Sequence, residues 1–256
     1  MISDPGFYAI AVPAVLLVGL AKGGFLGGFG IVGVPMLTLV MPPVQAAAVL
    51  LPVLIAMDAI GVWSYRKHFD AANLIILVPA ASLGIFVGWL TAASVSESHI
   101  RLIVGLVAIA FTLDHWLGIR PQASAAPPSP PHRIKGGLAG ALSGFTSFVS
   151  HAGSPPLQMY LLPQRLERRR YAGTMVTYFA LVNLIKVPPY FLLGQFSPEN
   201  LAASAVLLPL APVAVGTGIF LVRRVPQKPF YRIAYGGLFL VSLKLVWDGG
   251  RAVMGL

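Results

Sequence analysis

The stretch KGGFLGGFGIVGVPML, Lys22–Leu37, decides the fold together with its echo GGLAGALSGFTSFVSHAGSPPL, Gly136–Leu157. Both are apolar, but each is cut by glycines and then by proline, so neither reads as one continuous helix. Irregular backbone at membrane depth is tolerated only where protein or a water-filled cavity satisfies its polar groups. Proline is favoured in the first turn of a helix, where its missing N–H costs nothing. Pro35 and Pro155 are therefore expected to open short half-helices, with N-termini pointing toward the membrane midplane from opposite sides.

The rest of the chain supports a bilayer setting. Of 256 residues 57% are hydrophobic and 10% charged, with a mean hydropathy of +0.81. A soluble domain carries about a quarter charged residues, so this chain must face lipid over much of its outside. At about 20 apolar residues per crossing, spans are expected at Ala46–Tyr65, Asn73–Ala93, Ile100–Leu117, Tyr171–Leu193, Leu201–Val222 and Phe230–Trp247. Phe7–Val40 and Ile134–Leu162 are the two interrupted regions, each either re-entrant or two short crossings. The opening MISDPG lacks a positive n-region, so the run after it reads as a membrane element and not as a cleaved signal. Cysteine is absent, which excludes disulfides and thiolate chemistry. No cofactor or metal is expected.

The net charge of +10 is placed by topology. Basic residues cluster at Arg66 and Lys67, at Arg120, Arg133 and Lys135, at Arg165 and Arg168–Arg170, and at Arg223, Arg224 and Lys228. The connections Met41–Gln45, Val95–Ser98 and Gly194–Asn200 hold none. The positive-inside rule puts the basic connections in the cytoplasm of a bacterial inner-membrane protein, with both termini external. The expected partners are the bilayer and a small anionic substrate; no nucleic-acid role is assigned, and homo-oligomers are compatible with the sequence.

A shift of 120 residues lays Ala21, Gly24, Phe25, Gly33, Pro35 and Leu37 on Ala141, Gly144, Phe145, Gly153, Pro155 and Leu157. Slightly larger shifts pair Ala47 with Ala172, Asp58 with Asn183, Asn73 with Asn200 and Arg101 with Arg232, in unbroken order. The expected organisation is an all-α polytopic membrane protein with a first repeat over 1–118, a Pro/Ala/Ser-rich cytoplasmic linker over 119–132, and a second repeat over 133–256. Each repeat holds one Gly-rich dipping or broken-helix hairpin plus three transmembrane helices. Three is odd, so the repeats are inverted, a transporter signature.

A helix N-terminus presents unpaired N–H groups and about half a positive charge, and two facing ones would cradle an anion. The candidate substrate-binding residues are Gly30, Gly33, Val34 and Pro35 in the first hairpin. In the second they are Ser147, Ser150, His151, Gly153, Ser154 and Pro155. Ionisable groups at membrane depth are functional candidates by default. Lys22 adds positive potential, Asp58 and its repeat partner Asn183 lie mid-span, and Lys186 follows Asn183 by one turn, placed to pair with Asp58 or to attract the anion. These four are the coupling and electrostatic candidates.

GGFLGGFGIVGVPML and GFTSFVSHAGSPPL resemble the paired Gly-rich signatures of the TauE/SafE family of sulfite and organosulfonate exporters and related permeases. The resemblance covers nearly the whole chain. It implies export of a sulfur oxyanion or sulfonate, with protons as one driving force. The copies differ: Ser147, Phe148, Ser150 and His151 stand where the first has Gly27, Gly28, Gly30 and Ile31. No GxxxxGK[ST], HExxH or GxSxG motif is present, so neither an ATP site nor an enzyme is expected. The function expected is a secondary transporter exporting a small anion. The alternatives are an uptake permease for another small organic anion and a non-transporting membrane assembly or partner-binding protein.

Overall fold

The computed structural model describes residues 4–23, 29–117, 129–221 and 227–255. The glycines at 24–28 and most of the linker, 118–128, lie outside these, so the expectations for Gly24, Phe25, Gly27 and Gly28 and for a flexible tether have no structural counterpart here. The described residues form eleven α-helices and no strand: α1 (Pro5–Lys22), α2 (Gly33–Leu37), α3 (Pro43–Tyr65), α4 (Ala71–Ser94), α5 (Glu97–Leu117), α6 (Arg133–Ser150), α7 (Ser154–Leu161), α8 (Arg168–Leu192), α9 (Pro198–Leu207), α10 (Leu210–Leu221) and α11 (Gln227–Val253).

Helix starts follow local chemistry. Asp4 accepts a hydrogen bond from the Gly6 amide, Asp70 from Asn73, and Ser197 from Asn200, each satisfying an N–H that the helix leaves orphaned. Pro5, Pro43 and Pro198 occupy the first helical position.

Both interrupted regions resolve as a long helix, a break and a short helix. The first is α1, 18 residues long, then a 3-10 turn at Phe29–Val32 and the five-residue α2. The second is α6, also 18 residues, a reversal at His151, and the eight-residue α7. Eighteen residues rise about 27 Å, close to a bilayer core. Pro35 and Pro155 do stand in the first turns of short helices.

Among the described residues α1, α3, α4 and Arg169–Leu192 of α8 are each long and apolar enough to cross a membrane. The expected span Leu201–Val222 is broken. α9 and α10 meet at a 42° bend, and the pair together is long enough for a fifth crossing. Pro209 sits in that break. It has no N–H for the carbonyl one turn earlier, and its ring collides with it. The chain outside is dressed for lipid: Ile75, Leu83, Phe86, Val87 and Leu90 stand exposed along α4, and Leu138 and Leu142 along α6.

Four helix pairs carry most of the packing: α4 with α6, α5 with α11, α1 with α10, and α3 with α8. The repeat expected from the sequence would equate α1 with α6, α3 with α8, α4 with α9–α10, and α5 with α11. Exchanging the two repeats turns the α1–α10 pair into the α6–α4 pair and returns the other two pairs to themselves. Two polar clasps follow the same rule. Asn73 and Gln164 exchange side-chain hydrogen bonds of 2.8 and 3.1 Å. Gln45 donates to Asn200, the repeat partner of Asn73, at 2.7 Å.

The α4–α6 seam is a backbone-to-backbone contact. A Cβ on Gly84 would lie 1.9 Å from the Ala141 carbonyl oxygen, and one on Gly144 2.1 Å from that of Ala81. Gly84→Ala or Gly144→Ala should therefore push the helices apart and cost about 1–3 kcal/mol. Gly137→Ala, where nothing lies within 4 Å of the added carbon, should be neutral or gain up to about 1 kcal/mol from helix propensity. Thermal unfolding of the purified protein measures all three. Equal melting of the Gly144 and Gly137 variants would mean that these close approaches do not hold the seam.

Candidate functional site

A cavity of about 100 Å³ opens in the middle of the bundle, between α1, α3, α6–α7, α8 and α10. Six sequence candidates line it: Lys22, Asp58, Ser147, His151, Ser154 and Asn183. The remaining wall is apolar, with Val18, Ala21, Leu54, Met57, Met175, Val176, Phe179 and Val215.

Two polar groupings face this space. In the first, the Asp58 carboxylate takes an ion pair from Lys22 and a 2.5 Å hydrogen bond from the Asn183 amide. α1, α3 and α8 thus meet at one carboxylate. Lys22 is the partner of Asp58, and Lys186 is not. Lys22 reaches Asp58 from the last turn of α1, across the α1–α3 contact, whereas Lys186 lies one turn beyond Asn183 and points into the α6 terminus.

The second grouping is built on Lys186, fully buried in α8. Its ammonium has three protons to donate and three acceptors around it: Ser147 O at 3.2 Å, Ser147 Oγ at 3.1 Å and His151 Nδ1 at 2.6 Å. All three are neutral groups. The other nitrogen of the ring, His151 Nε2, lies 2.9 Å from the Ala47 carbonyl oxygen. A carbonyl only accepts, so Nε2 carries hydrogen, and Nδ1 of the neutral ring is free to accept from Lys186.

His151 caps α6 in the left-handed region, φ 52°, a conformation usually left to glycine. Its amide bonds back to Ser147 O at 3.0 Å, and that of Ala152 to Thr146 O at 3.2 Å, closing the helix as it reverses. The strain of a non-glycine residue there is about 1 kcal/mol, and the Ala47 and Lys186 contacts hold it.

α7 then begins at Ser154 on the cavity wall. Its N-terminus offers fewer donors than expected, because Pro155 and Pro156 in its first turn have no N–H. Gly153 is the cap. Its carbonyl accepts from Ser143 Oγ at 2.6 Å, and a Cβ there would meet the Ser143 carbonyl and hydroxyl oxygens at 2.8 Å. Ser150 Oγ is spent on the Thr146 carbonyl within α6, and Pro155 is buried in α7.

The first hairpin's candidates do not reach the cavity wall. Gly33, Val34 and Pro35 are buried in α2, with Gly33 against Val18 and Leu50. The Val34 carbonyl takes both the amide and the hydroxyl of Thr38. Gly30 belongs to the preceding 3-10 turn. Sequence reading missed Ala47, whose carbonyl orients His151, and the apolar wall. Ala47 carries no side-chain signal for that role, and the wall residues look like any helix interior.

A multi-pass helical membrane protein with a charged cavity at mid-bundle has the architecture of a small-molecule transporter. A family model described as sulfite exporter TauE/SafE matches residues 11–245, and the chain belongs to that family. No curated protein and no solved structure matches it.

Asp58 is 5% exposed and Lys22 21%, so removing one partner leaves the other poorly solvated. Asp58→Ala is expected to cost about 3 kcal/mol, and adding Lys22→Met should recover most of it. A double-mutant cycle on unfolding measures the coupling. Simple additivity within about 0.5 kcal/mol would mean that the two side chains do not act as a pair.

Proposed function

We propose that this protein is a secondary transporter that exports a small anion across the bacterial inner membrane by alternating two inverted halves around the central cavity. The observation that carries the reading is Lys186. A buried ammonium without a carboxylate in contact is costly, and only neutral groups touch this one. Asp58, the nearest candidate to neutralise it, is already held by Lys22 and Asn183. An anion in the cavity supplies the missing charge, so anion binding and the charged form of Lys186 stabilise each other.

Contact with the anion passes through the wall. Lys186 donates to Ser147 Oγ, which leaves that hydroxyl its own hydrogen to give to the cavity. Ser154 adds a hydroxyl and a first-turn N–H. Together these form a polarised donor surface with a cation behind it.

The exchange of helices between repeats supports alternation. The α4–α6 pair with α7 and the α1–α10 pair with α2 each combine both repeats, and the cavity lies between them. The Gln45–Asn200 clasp lies in the first turn of α3, and the Asn73–Gln164 clasp lies past its other end, in the first turn of α4. The expected topology keeps both termini external and the basic connections in the cytoplasm. A negative interior then drives an anion outward by about 2.3 kcal/mol per charge per 100 mV, enough to power export without ATP.

The test is flux of labelled sulfite and organosulfonates in proteoliposomes. Lys186→Met keeps the volume and removes the charge, and it is expected to weaken apparent affinity about 30-fold or more in protein that still elutes and melts as a folded species. Wild-type flux in Lys186→Met would overturn the reading.

A further inference from the structure

We infer that Phe148 and Tyr190 form a gate, shut in this structure, that closes the central cavity at the end of the bundle away from Tyr65 and Arg168. The inference concerns how the cavity is sealed and not what it holds. It rests on the alternation reading above for one point, that the seal must open.

α3 and α8 run past each other in opposite directions: Ala47 of α3 meets His151, the partner of Lys186, Asp58 meets Asn183, and Gly61 packs on Val176. The cavity takes only part of this seam. Its wall on α3 runs from Leu54 to Gly61 and on α8 from Met175 to Asn183, in both cases toward the Tyr65 end. The same helix faces continue at steps of three and four residues, to Leu51 and Ala47 on α3 and to Lys186 and Tyr190 on α8. There the space is filled, and all four side chains are fully buried.

The seal has two layers. Next to the cavity, Lys186 ties α8 to the end of α6 through Ser147 and His151. Beyond it, the Tyr190 ring stacks on Phe148, with centroids 4.7 Å apart and planes 21° from parallel. Tyr190 Oη donates to the Phe148 carbonyl at 2.6 Å. That carbonyl is one of the last four of α6, which the helix cannot pair for itself. The Phe148 ring is backed by α4, where a Cβ on Gly88 would meet it at 2.9 Å. On the far side of the two rings a void of about 10 Å³ remains, lined by Val44, Thr91 and Ile100, against about 100 Å³ in the cavity.

The turn that carries Tyr190 is built to move. Pro188 and Pro189 precede it inside α8. Neither has an N–H, so the carbonyls of Leu184 and Ile185 lose the amide partner four residues on. The last turn of α8 is tied to the rest of the helix by fewer bonds, and prolines are where helices kink. One ring stack and one hydrogen bond fasten that turn to α6. The expected repeat sets Tyr65 against Tyr190, and Tyr65 stands half-buried at the opposite end of α3, placed to shut that end when Tyr190 releases this one.

The chain has no cysteine, so a single introduced thiol reports on one place. The experiment treats the full-length protein in detergent with a charged, water-soluble thiol reagent, which reaches both ends of the bundle. Ala47→Cys, beneath the gate, should react about 100-fold or more slowly than Val176→Cys on the cavity wall, because it is uncovered only in rare openings. Adding Tyr190→Ala should speed labelling of Ala47→Cys about tenfold or more and leave that of Val176→Cys within about twofold. Tyr190→Phe keeps the stack and removes the hydrogen bond. It should speed labelling about threefold, and it carries the test if the alanine variant does not fold. Equal labelling at the two positions with Tyr190 in place overturns the inference. So does protection of Ala47→Cys that persists in the folded Tyr190 variants, or a rise that is the same at both positions. None of these outcomes involves an anion, so the anion site is judged separately by flux in Lys186→Met.

Discussion

Three protons on Lys186 have to be placed inside a bilayer-embedded bundle, and the arrangement of the second half follows from where they go. Two are met by Ser147, in the last turn of α6, and one by His151, the residue that ends it. These bonds require α6 to stop where it does. They require His151 to hold a left-handed conformation, and its ring to be oriented by a carbonyl from α3. α7 can then start at the cavity wall. Were α6 to continue by one turn, Ser154 would be carried away from the cavity and Lys186 would lose an acceptor.

This shifts the source of positive potential away from the helix ends. Backbone N–H groups at a helix terminus are a ready anion site, but α7 has surrendered two of its own to Pro155 and Pro156, and α2 is a five-residue helix buried away from the wall. The prolines bring a different benefit. They stop a helix from propagating back across the break, which keeps the reversal at Ala152–Gly153 open. On the proposed reading the Lys186 ammonium provides the field that the termini only partly supply, acting through Ser147 and His151 and not by direct exposure.

Much of this was legible in the sequence. The Gly-rich breaks followed by proline marked both hairpins, and the apolar runs marked α3, α4 and α8, because period and punctuation are local properties. Asp58, Asn183, Lys22, Ser147, His151 and Ser154 stood out as polar groups in apolar surroundings, and they converge on one cavity. What could not be read was partnership. Asp58 had two lysines within reach of argument, Lys22 and Lys186, and choosing between them needs the angle at which α1 crosses α3. The bend at Pro209 was also hidden, since Pro13, Pro52, Pro79 and Pro188 sit inside helices that continue. Whether proline breaks a helix or only kinks it depends on what satisfies the freed carbonyl.

The two expected repeats agree in their helix pairing and differ at the cavity. Helix pairing survives their exchange, and so does the asparagine in each clasp. The mid-cavity positions do not. Asp58 is answered by Asn183, and the register that equates them sets Lys186 against Gly61, which lies against Val176. A cavity symmetric in charge would carry two lysines and two aspartates, and a single anion could neutralise neither lysine without facing a carboxylate. On the proposed alternation, a duplicated scaffold would be exchanged between two equivalent arrangements while its unequal lining gave a bound anion one orientation.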